Sequence, residues 1–384
     1  MEETVKRAVV IFSMFAAFFI FQGTAISDEI NIGCSGPLTG PAAYIGIDSL
    51  HGAQIAAKEL NDAGGVIVAG KKYTINIHSY DDEGVAAKAV AGMQRLKDKY
   101  NTPVIIQNIS ASIMGCLEKN ENMEVLVAGF FVHPEATNRG NKLVLRHNIT
   151  ALEEARTMIE GVYNYWKPKT YALLVDVGDY GKPYVRVSEE VFDKRGVKLV
   201  AKEWLDMRTQ TDFRGQLTKI KAANPDVIII AAYDEATAGA IKQAHELGIK
   251  TRIGLSTGFQ SGGVKLTGPV LIEGYLKMLQ PHSTDPPNPA TARYRDELYP
   301  KMGFKEPAGP YGQNVYQCTH TIIQSMIKAG TTTDALKIRQ AAPSVVPLPV
   351  RWNAVGVQSF KENGDATVNN FVGIYRNGKL VKID

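Results

Sequence analysis

The stretch INIGCSGPLTGPAAYIG, which runs from Ile30 to Gly46, places a loop rich in glycine and proline between a short apolar segment and the start of a helical pattern. Ile47, Leu50 and Ala53 continue that pattern at spacings of three residues, as on one face of a helix. Turn residues between a strand and a helix shape a loop of defined conformation, and such loops commonly carry binding residues. The stretch therefore predicts a β–α unit whose loop contributes to a site.

Segments typical of strands and of helices alternate over the rest of the chain. The apolar run at residues 227–232 has no polar alternation, which suits a strand covered by helices on both faces of a parallel sheet. Strand-like segments form two series, YTINIHSY, TPVIIQ and EVLVAGF before residue 150 and TYALLVD, DVIIIAAY and TRIGLS after it. We therefore predict an α/β protein with two doubly wound sheets, one in each of two domains.

Three polar or proline-rich segments are predicted to connect the domains, at residues 146–151, 279–290 and 343–350. Three crossings make both domains discontinuous and place a hinge of several strands between them, a layout that favours a binding protein. The predicted boundaries are residues 28–148 plus 281–345 for the first lobe and 149–280 plus 346–384 for the second lobe.

Composition narrows the class of protein. The chain has 384 residues, too many for one ordinary core, and its 45% apolar and 21% charged residues are typical of a globular protein. The net charge is +4, and lysines and arginines are scattered among acids instead of clustering with aromatic residues. This pattern argues against a nucleic-acid-binding surface.

The N-terminal 27 residues have the features of a secretory signal peptide. Lys6 and Arg7 precede an uncharged apolar run at residues 8–21, which is shorter than the roughly 20 residues that a membrane-spanning helix needs. Ala25 and Ser27 then follow at the small-residue spacing of a cleavage site. We predict that residues 1–27 are removed and that the mature protein is exported; an uncleaved anchor is the alternative.

Three cysteines, Cys34, Cys116 and Cys318, cannot all pair within one chain. None follows the apolar run closely enough to serve as a lipid-anchored cysteine. One disulfide is compatible with the sequence, which does not say which two residues would form it, and buried free thiols are the favoured alternative.

Catalytic and metal-binding patterns are weak or absent in the sequence. The segment GVIVAGKK resembles a phosphate-binding loop, but Lys72 stands where Ser or Thr should hold magnesium. The seven histidines are dispersed, and the cluster Asp81–Glu83 is explained more simply as a helix cap. We therefore expect no catalytic residue, no metal site and no cofactor.

Polar, glycine-rich or aromatic residues recur where predicted strands end. In open α/β sheets ligands bind at the carboxyl edge of the strands, so these segments predict a cleft. Ser110 or Ser112 would cap a helix there and leave its amides free to bind a carboxylate. The segments are Tyr44, QNISAS (107–112), GFFVHPEA (129–136), GDYGK (178–182), YDEA (233–236) and STGFQSGG (256–263).

Over nearly the whole mature length the sequence resembles the type I periplasmic solute-binding proteins of the branched-chain amino acid, or leucine/isoleucine/valine-binding, kind. The segments that carry the resemblance are IGCSGPLTGPAAYIGIDSLHGAQIAAKELNDAGG, YDDEGVAAKAV, HPEATNRG, DYGK and AHELGIKTRIGLSTG. The resemblance implies two Rossmann-like lobes joined by three crossovers, which close on a small-molecule solute and deliver it to an ABC permease in the inner membrane. We expect a monomer that is not an enzyme.

The resemblance also implies the residues of the site, and departures from it bear on the ligand. Relatives that bind amino acids carry an acidic residue in the loop matching LSTGF, where this chain has Ser256, Thr257 and Gly258, and they have a small, hydroxyl-rich loop where this chain has GFFVH. The predicted ligand-binding residues are Tyr44, Ser110, Ser112, Phe130, Phe131, Tyr180, Tyr233 and Thr257.

The expected function is that of the solute-binding component of an ABC importer, for a small carboxylate or amide that is either an amino acid or an aromatic acid. An amino acid would need Asp234 or Glu235 to replace the missing partner of its ammonium group, because an unpaired buried ammonium is costly. The alternative function is an exported ligand sensor of the same fold that passes a signal to a membrane receptor.

Overall fold

The computed structural model describes residues 28–40, 42–178, 180–280 and 287–383, so the predicted signal peptide lies outside the described residues. The strands are β1 (Asp28–Gly36), β2 (Val66–Val68), β3 (Lys71–Asp81), β4 (Val104–Gln107), β5 (Leu126–Gly129), β6 (Val144–Arg146), β7 (Thr170–Asp176), β8 (Lys198–Leu205), β9 (Val227–Ala231), β10 (Arg252–Leu255), β11 (Leu276–Leu279), β12 (Val357–Phe360), β13 (Ala366–Val368), β14 (Phe371–Arg376) and β15 (Lys379–Ile383).

The α-helices are α1 (Ala43–Asp62), α2 (Ala86–Tyr100), α3 (Ser110–Cys116), α4 (Glu135–Asn138), α5 (Ala151–Trp166), α6 (Lys182–Asp193), α7 (Arg214–Ala223), α8 (Asp234–Glu246), α9 (Ser261–Thr267), α10 (Pro289–Arg293), α11 (Pro310–Ala329) and α12 (Ala335–Ala341). Short 3₁₀ or π turns add Val270–Ile272, Tyr294–Leu298, Tyr299–Met302, Ala342–Ser344 and Val350–Trp352.

The first lobe is built on a six-stranded sheet with the order β2-β3-β1-β4-β5-β6. All of its neighbouring strands are parallel except the β2–β3 pair, which is antiparallel. Helices α1 and α11 cover one face, where Ile32, Ile106 and Ile322 are buried, and α2 and α3 cover the other face, where Met93 and Ile105 are buried. Strand β1 lies inside the sheet, paired with β3 on one side and with β4 on the other, because the chain crosses over β1 between β3 and β4.

The second lobe is built on a seven-stranded sheet with the order β15-β14-β11-β10-β9-β7-β8. Strands β8 to β11 and β7 run parallel, and the hairpin of β14 and β15 adds to β11 in the antiparallel sense. Its two faces bury separate apolar clusters, around Ile228 and Ile230 on one side and Leu173 and Ile229 on the other. The predicted α/β class with two doubly wound sheets is thus confirmed.

The chain passes between the lobes at residues 147–150, between Leu279 and Pro289, and at residues 369–370. The third crossing differs from the prediction of 343–350 and moves the expected boundary at residue 345. Trp352, Val357 and Phe360 are buried in the first lobe's core, so the chain stays with that lobe until β13. The proline-rich segment forms short 3₁₀ turns at Ala342–Ser344 and Val350–Trp352 instead of a linker.

A buried ion pair ties the returning segment to the end of β6, beside the first crossing. Arg146 is fully buried, and its Nε lies 3.0 Å from a carboxylate oxygen of Asp365. The same guanidinium donates to the carbonyl oxygen of His133 at 2.8 Å and to the hydroxyl of Thr137 at 3.1 Å. A charge buried with these partners fixes where the first lobe ends.

Helices α1 and α11 approach each other closely enough to require glycine at the contact. A Cβ on Gly52 would lie 2.0 Å from the carbonyl oxygen of Gly312, so neither helix could keep its place with a larger residue there. The close approach also explains why α1 buries residues outside the apolar face seen in the sequence, among them Asp48 and His51.

The three cysteines are buried and are not joined in disulfides. Burial, and to a smaller degree the charge of Asp82, raises the pKa of Cys34 and of Cys116 to about 12. Burial also raises the pKa of Cys318. The favoured alternative of buried free thiols is the one that the structure has.

Candidate functional site

The order of the strands places two pairs of loops side by side, one pair in each lobe. In the first lobe the connections diverge between β1 and β4, and in the second lobe between β7 and β9. Loops at such switch points form a crevice at the carboxyl edge of the sheet, where α/β proteins bind ligands. The loops after β1 and β4 lead to Tyr44 and Ser110, and those after β7 and β9 lead to Tyr180 and Tyr233.

The loop after β1 is held by Asp81 from the end of β3. The carboxylate of Asp81 accepts hydrogen bonds from the amide of Leu38 at 2.8 Å and from the hydroxyl of Thr39 at 2.6 Å. Asp81 does not cap the next helix, as the sequence suggested, because Val85 occupies the N-cap position of α2. The fixed loop presents Tyr44 at the start of α1 with 59% of its surface exposed.

Tyr44, Phe130 and Tyr311 form an aromatic wall on the first lobe. The sequence analysis missed Tyr311. Its ring lies edge-on to Tyr44, with ring centroids 6.2 Å apart, and at 5.4 Å from Phe130 in a T-shaped arrangement. Buried Asp48 fixes this position by accepting hydrogen bonds from the amides of Gly309 at 2.9 Å and Gly312 at 2.8 Å, on either side of Tyr311. The segment AGPYG does combine glycine, proline and an aromatic residue, but it follows a turn instead of a strand and so escaped notice.

The adjacent residues Phe130 and Phe131 have different surroundings. Phe130 is half-buried and contacts Tyr311, and its amide donates to Asn108 at 3.3 Å. Phe131 is 1% exposed and packs in the core of the first lobe, with the guanidinium of Arg146 5.0 Å from its ring centroid. The prediction that Phe131 contacts the ligand is therefore wrong, since the chain turns its side chain away from the cleft.

The two serines after β4 also separate. Helix α3 begins at Ser110 and has Ile109 at its N-cap without a side-chain hydrogen bond, so the prediction that Ser110 or Ser112 caps the helix is wrong. Ser110 is half-buried at the first helical position. Ser112 is fully buried, and its hydroxyl has no hydrogen-bond partner among the residues that the structure describes. Of the two serines, only Ser110 keeps part of its surface accessible, and its contact with a ligand stays a prediction.

The wall of the second lobe is formed by Tyr180 and Tyr233, whose ring centroids are 5.0 Å apart. The hydroxyl of Tyr180 accepts a hydrogen bond from the amide of Gly258 at 2.8 Å and lies 3.0 Å from the hydroxyl of Thr257. Tyr180 is 8% exposed and Tyr233 is 40% exposed. Tyr180 therefore anchors the loop after β10, and Tyr233 presents its ring to the cleft.

Glu154, a second residue that the sequence analysis missed, lies behind Thr257. The hydroxyl of Thr257 donates to the Glu154 carboxylate at 2.8 Å, and Glu154 is 2% exposed although it belongs to the first turn of α5. Burial raises the pKa of Glu154 to about 7, against the lowering effects of the Thr257 hydrogen bond and the charge of Lys277. Nothing in the helical pattern of residues 151–166 distinguishes this acid from an exposed one.

Lys277 is the buried cation of this region. It lies on β11 with 3% of its surface exposed, and its ammonium is 3.5 Å from the side-chain oxygen of Gln260. Burial lowers the pKa of Lys277 to about 8, while the charges of Asp234 and Glu154 oppose that shift. Lys277 is therefore a buried cation of the second lobe that interacts with two acids, Asp234 and Glu154, near the loop that carries Thr257.

The two walls interact across the cleft. Burial raises the pKa of Tyr44 in the first lobe, and the negative charges of Glu235 and Asp234 in the second lobe raise it further. Burial raises the pKa of Tyr311 well above its usual value, and Tyr44, Tyr233 and Tyr180 raise it further. Of the predicted site residues, Tyr44, Ser110 and Phe130 belong to the first lobe, and Tyr180, Tyr233 and Thr257 belong to the second.

Other chemical features are limited. Among the described residues, no group of three or more His, Cys, Asp or Glu side chains is placed to hold a metal ion. In the same part of the chain, no helix combines the length and the apolar character that crossing a membrane requires.

Comparisons with known proteins show the family and the fold of the chain. The model of a family described as periplasmic binding protein matches residues 29–373. A Leu/Ile/Val-binding protein homolog of Brucella melitensis is 25% identical over 374 residues, which are 96% of this chain and 97% of that protein. A branched-chain amino acid ABC transporter protein of Thermus thermophilus with bound valine superposes with a TM-score of 0.79 at 16% identity, covering 93% of this chain and 96% of that one. A solute-binding protein of R. palustris in complex with benzoate superposes with a TM-score of 0.75 at 14% identity, covering 92% of this chain and 95% of that one.

Proposed function

The chain belongs to the periplasmic binding protein family, and from that premise we propose that it is the solute-binding component of an ABC importer, with its ligand held between the lobes. The family and its named relatives are solute-binding proteins, in agreement with the expectation that the chain is not an enzyme. Periplasmic location after removal of residues 1–27, and a monomeric state, are parts of the same proposal.

The observation that carries the proposal is the pairing of aromatic walls at the carboxyl edges of two separate sheets. Tyr44 and Tyr311 present their rings from the first lobe, and Tyr233 presents its ring from the second. The walls belong to lobes with separate cores that are linked by three short crossings, so a change of hinge angle moves one wall toward the other without disturbing either core. Ligand contacts on both walls would then stabilise the closed form.

The ligand class that we propose is a small carboxylate or amide. The Leu/Ile/Val-binding relative and the R. palustris protein with benzoate are named for ligands that carry a carboxylate. Ser110, at the first position of α3, is the hydroxyl that the family resemblance assigns to such a group. Phe130, Tyr44 and Tyr311 would enclose the apolar part of the ligand.

The experiment is a thermal-shift screen of the chain beginning at Asp28, after it has been unfolded and refolded to remove carried-over ligand. The panel contains branched-chain amino acids, aromatic carboxylates and short amides. A ligand present at 100 times its Kd stabilises the folded state by about 2.7 kcal/mol, which is a measurable rise in Tm. Binding of any member with a one-to-one stoichiometry by calorimetry is the expected result. A correctly refolded chain that binds none of them would contradict the proposed ligand class.

A further inference from the structure

The acids that the structure describes around the second wall are already engaged by the protein, and this bears on the ligand. Asp176 at the end of β7 is 4% exposed and accepts hydrogen bonds from the amides of Gly178 at 2.8 Å and Met207 at 3.3 Å. Its carboxylate therefore holds the loop that leads to Tyr180. Because the side chain is almost completely buried, an ammonium group in the cleft meets little of the Asp176 carboxylate.

Asp234 is one of the two residues that the sequence analysis named as a possible partner for an ammonium group. Its carboxylate binds backbone amides at the start of α9. Its carboxylate accepts hydrogen bonds from the amide of Gln260 at 2.6 Å and from the amide of Gly263. The glycine backbone wraps it so tightly that a Cβ on Gly262 or Gly263 would lie 2.6 Å from its oxygens. The charge of Lys277 acts on the same carboxylate from below.

Glu154 is engaged in the same way. It is 2% exposed, accepts the hydroxyl hydrogen of Thr257, and shares the charge of Lys277 with Asp234. The ring of Tyr180, whose hydroxyl bonds Thr257, belongs to the same buried cluster. Glu235 is the remaining described acid of the segment that follows β9, and it is exposed to solvent, where an ion pair contributes little.

Resting on the proposed function, we infer that the ligand carries a planar aromatic ring and lacks an ammonium group, so that aromatic acids or amides are bound and α-amino acids are rejected. A buried ammonium without a carboxylate partner loses its hydration and gains no opposite charge that offsets this loss. Rings on both sides, namely Tyr44, Phe130 and Tyr311 facing Tyr233, offer a flat ligand edge-to-face and stacked contacts that an aliphatic chain cannot match.

The test measures Kd by calorimetry for four compounds that separate the two features. Phenylalanine and 3-phenylpropanoate share the ring and differ in the ammonium group; leucine and 4-methylpentanoate differ likewise and lack the ring. A fifth compound, 3-phenylpropanamide, distinguishes an amide from a carboxylate. We expect 3-phenylpropanoate or its amide to bind at least tenfold more tightly than phenylalanine and more tightly than 4-methylpentanoate.

Variants assign the selectivity to the residues named. Tyr311→Leu should weaken binding of the aromatic compound at least fivefold. Tyr311→Phe keeps the ring and should bind with an affinity close to that of the wild type. Tyr165→Leu, at an exposed tyrosine of α5, is the matched control. Glu235→Gln should leave all five affinities within twofold. Asp179 lies outside the described residues, and Asp179→Asn is therefore measured alongside with the same expectation.

The outcomes separate the inference from the function on which it rests. Tighter binding of phenylalanine or leucine, lost in Glu235→Gln or Asp179→Asn, would overturn the inference and leave the proposed solute-binding function intact. Tighter binding of 4-methylpentanoate than of 3-phenylpropanoate would overturn the aromatic requirement. Failure of all five compounds would also overturn the inference, and the broader screen would then decide whether the proposed function falls with it.

Discussion

The side chain of Tyr233, a proposed ligand contact, contributes little to the fold. Its backbone provides the N-cap position of α8, but its side chain makes no capping bond and is 40% exposed. Removal of the ring should therefore leave the core unchanged and remove one face of the ligand's surroundings.

We expect Tyr233→Ala to weaken ligand binding about tenfold or more, since losing an aromatic contact and its buried area costs on the order of 1.4 kcal/mol. The free energy of unfolding should change by less than about 0.5 kcal/mol, as for other surface substitutions. Calorimetry and urea denaturation measure the two quantities. Tyr165→Ala is the control, because Tyr165 is 45% exposed on a helix away from the cleft; equal Kd values for Tyr233→Ala and wild type would remove Tyr233 from the site.

Glu154 gives a pH dependence whose sign can be worked out. Its folded pKa of about 7 lies above the ordinary value, so the folded state holds the proton more tightly and is favoured at low pH. That contribution is lost as pH rises from about 4.5 to 7. Glu154→Gln keeps the acceptor for Thr257 and cannot ionise, so it should gain stability relative to wild type by about 1 to 3 kcal/mol between pH 5 and pH 8.

Urea denaturation of both proteins at pH 5, 6, 7 and 8 measures this gap. Lys277, Tyr180 and Tyr184 face the same carboxylate, and Glu153 adjoins it, so Lys277→Met on the Glu154→Gln background checks the share of the lysine. A gap that stays constant with pH would show that Glu154 is ionised throughout the range.

At the scale of single residues, sequence indicates which loops reach the cleft better than which side chains do. Phe130 and Phe131 are identical in type and adjacent, yet only Phe130 contacts the cleft wall, because neighbouring residues of an extended segment point in opposite directions. Tyr311 and Glu154 depend on contacts between distant parts of the chain, with Asp48 and with Thr257, and no local pattern encodes such contacts.

Among the elements, the contact of α1 with α11 links packing to the site. The close approach at Gly52 and Gly312 lies next to the turn in which Asp48 holds the amides on both sides of Tyr311. A change in the spacing of these helices must therefore also move the ring of Tyr311.

Gly52→Ala should destabilise the protein by about 1 to 3 kcal/mol, because the added methyl group forces the two helices apart. It should also weaken ligand binding. Gly215→Ala is the matched control: Gly215 lies in α7 with nothing within 4 Å of the added Cβ, so alanine should stabilise by about 0.4 to 1 kcal/mol. Thermal unfolding of both variants provides the measurement, and an unchanged Tm for Gly52→Ala would contradict the packing described.

Element boundaries could be predicted where apolar runs are long, as at residues 227–232, which contain β9. The predicted position of the third crossing was wrong because it was based on a proline-rich segment. Residues 343–350 have the composition of a linker, but prolines are also common in 3₁₀ turns, which this segment forms. Trp352 and Phe360, which pack in the core of the first lobe, follow the proline-rich segment in the sequence. The chain therefore crosses to the second lobe about twenty residues later than predicted.

On the scale of the whole molecule, the proposed function requires the lobes to move as units. Each lobe has its own buried clusters, and the ion pair of Arg146 with Asp365 secures the first lobe where the hinge begins. Motion is thus expected in the short crossings, such as residues 147–150 and 369–370, and not inside either sheet.

Ligand addition should therefore lower the radius of gyration measured by small-angle X-ray scattering while the circular dichroism spectrum stays constant. Closure brings two rigid bodies together without altering their secondary structure. Tyr233→Ala at the same ligand concentration should show a smaller decrease because fewer molecules are occupied. A saturated protein with an unchanged radius of gyration would contradict hinge closure.

The three buried thiols have a practical consequence. A thiol reacts as its thiolate, and burial keeps Cys34, Cys116 and Cys318 protonated and out of reach of reagents in the native state. A single cysteine introduced at an exposed position on the rim, such as Glu235→Cys, would then take up a maleimide fluorophore without competition from the native residues. Labelled in this way, the protein would convert occupancy of its cleft into an optical signal and could serve as a reagentless sensor for whatever solute it carries.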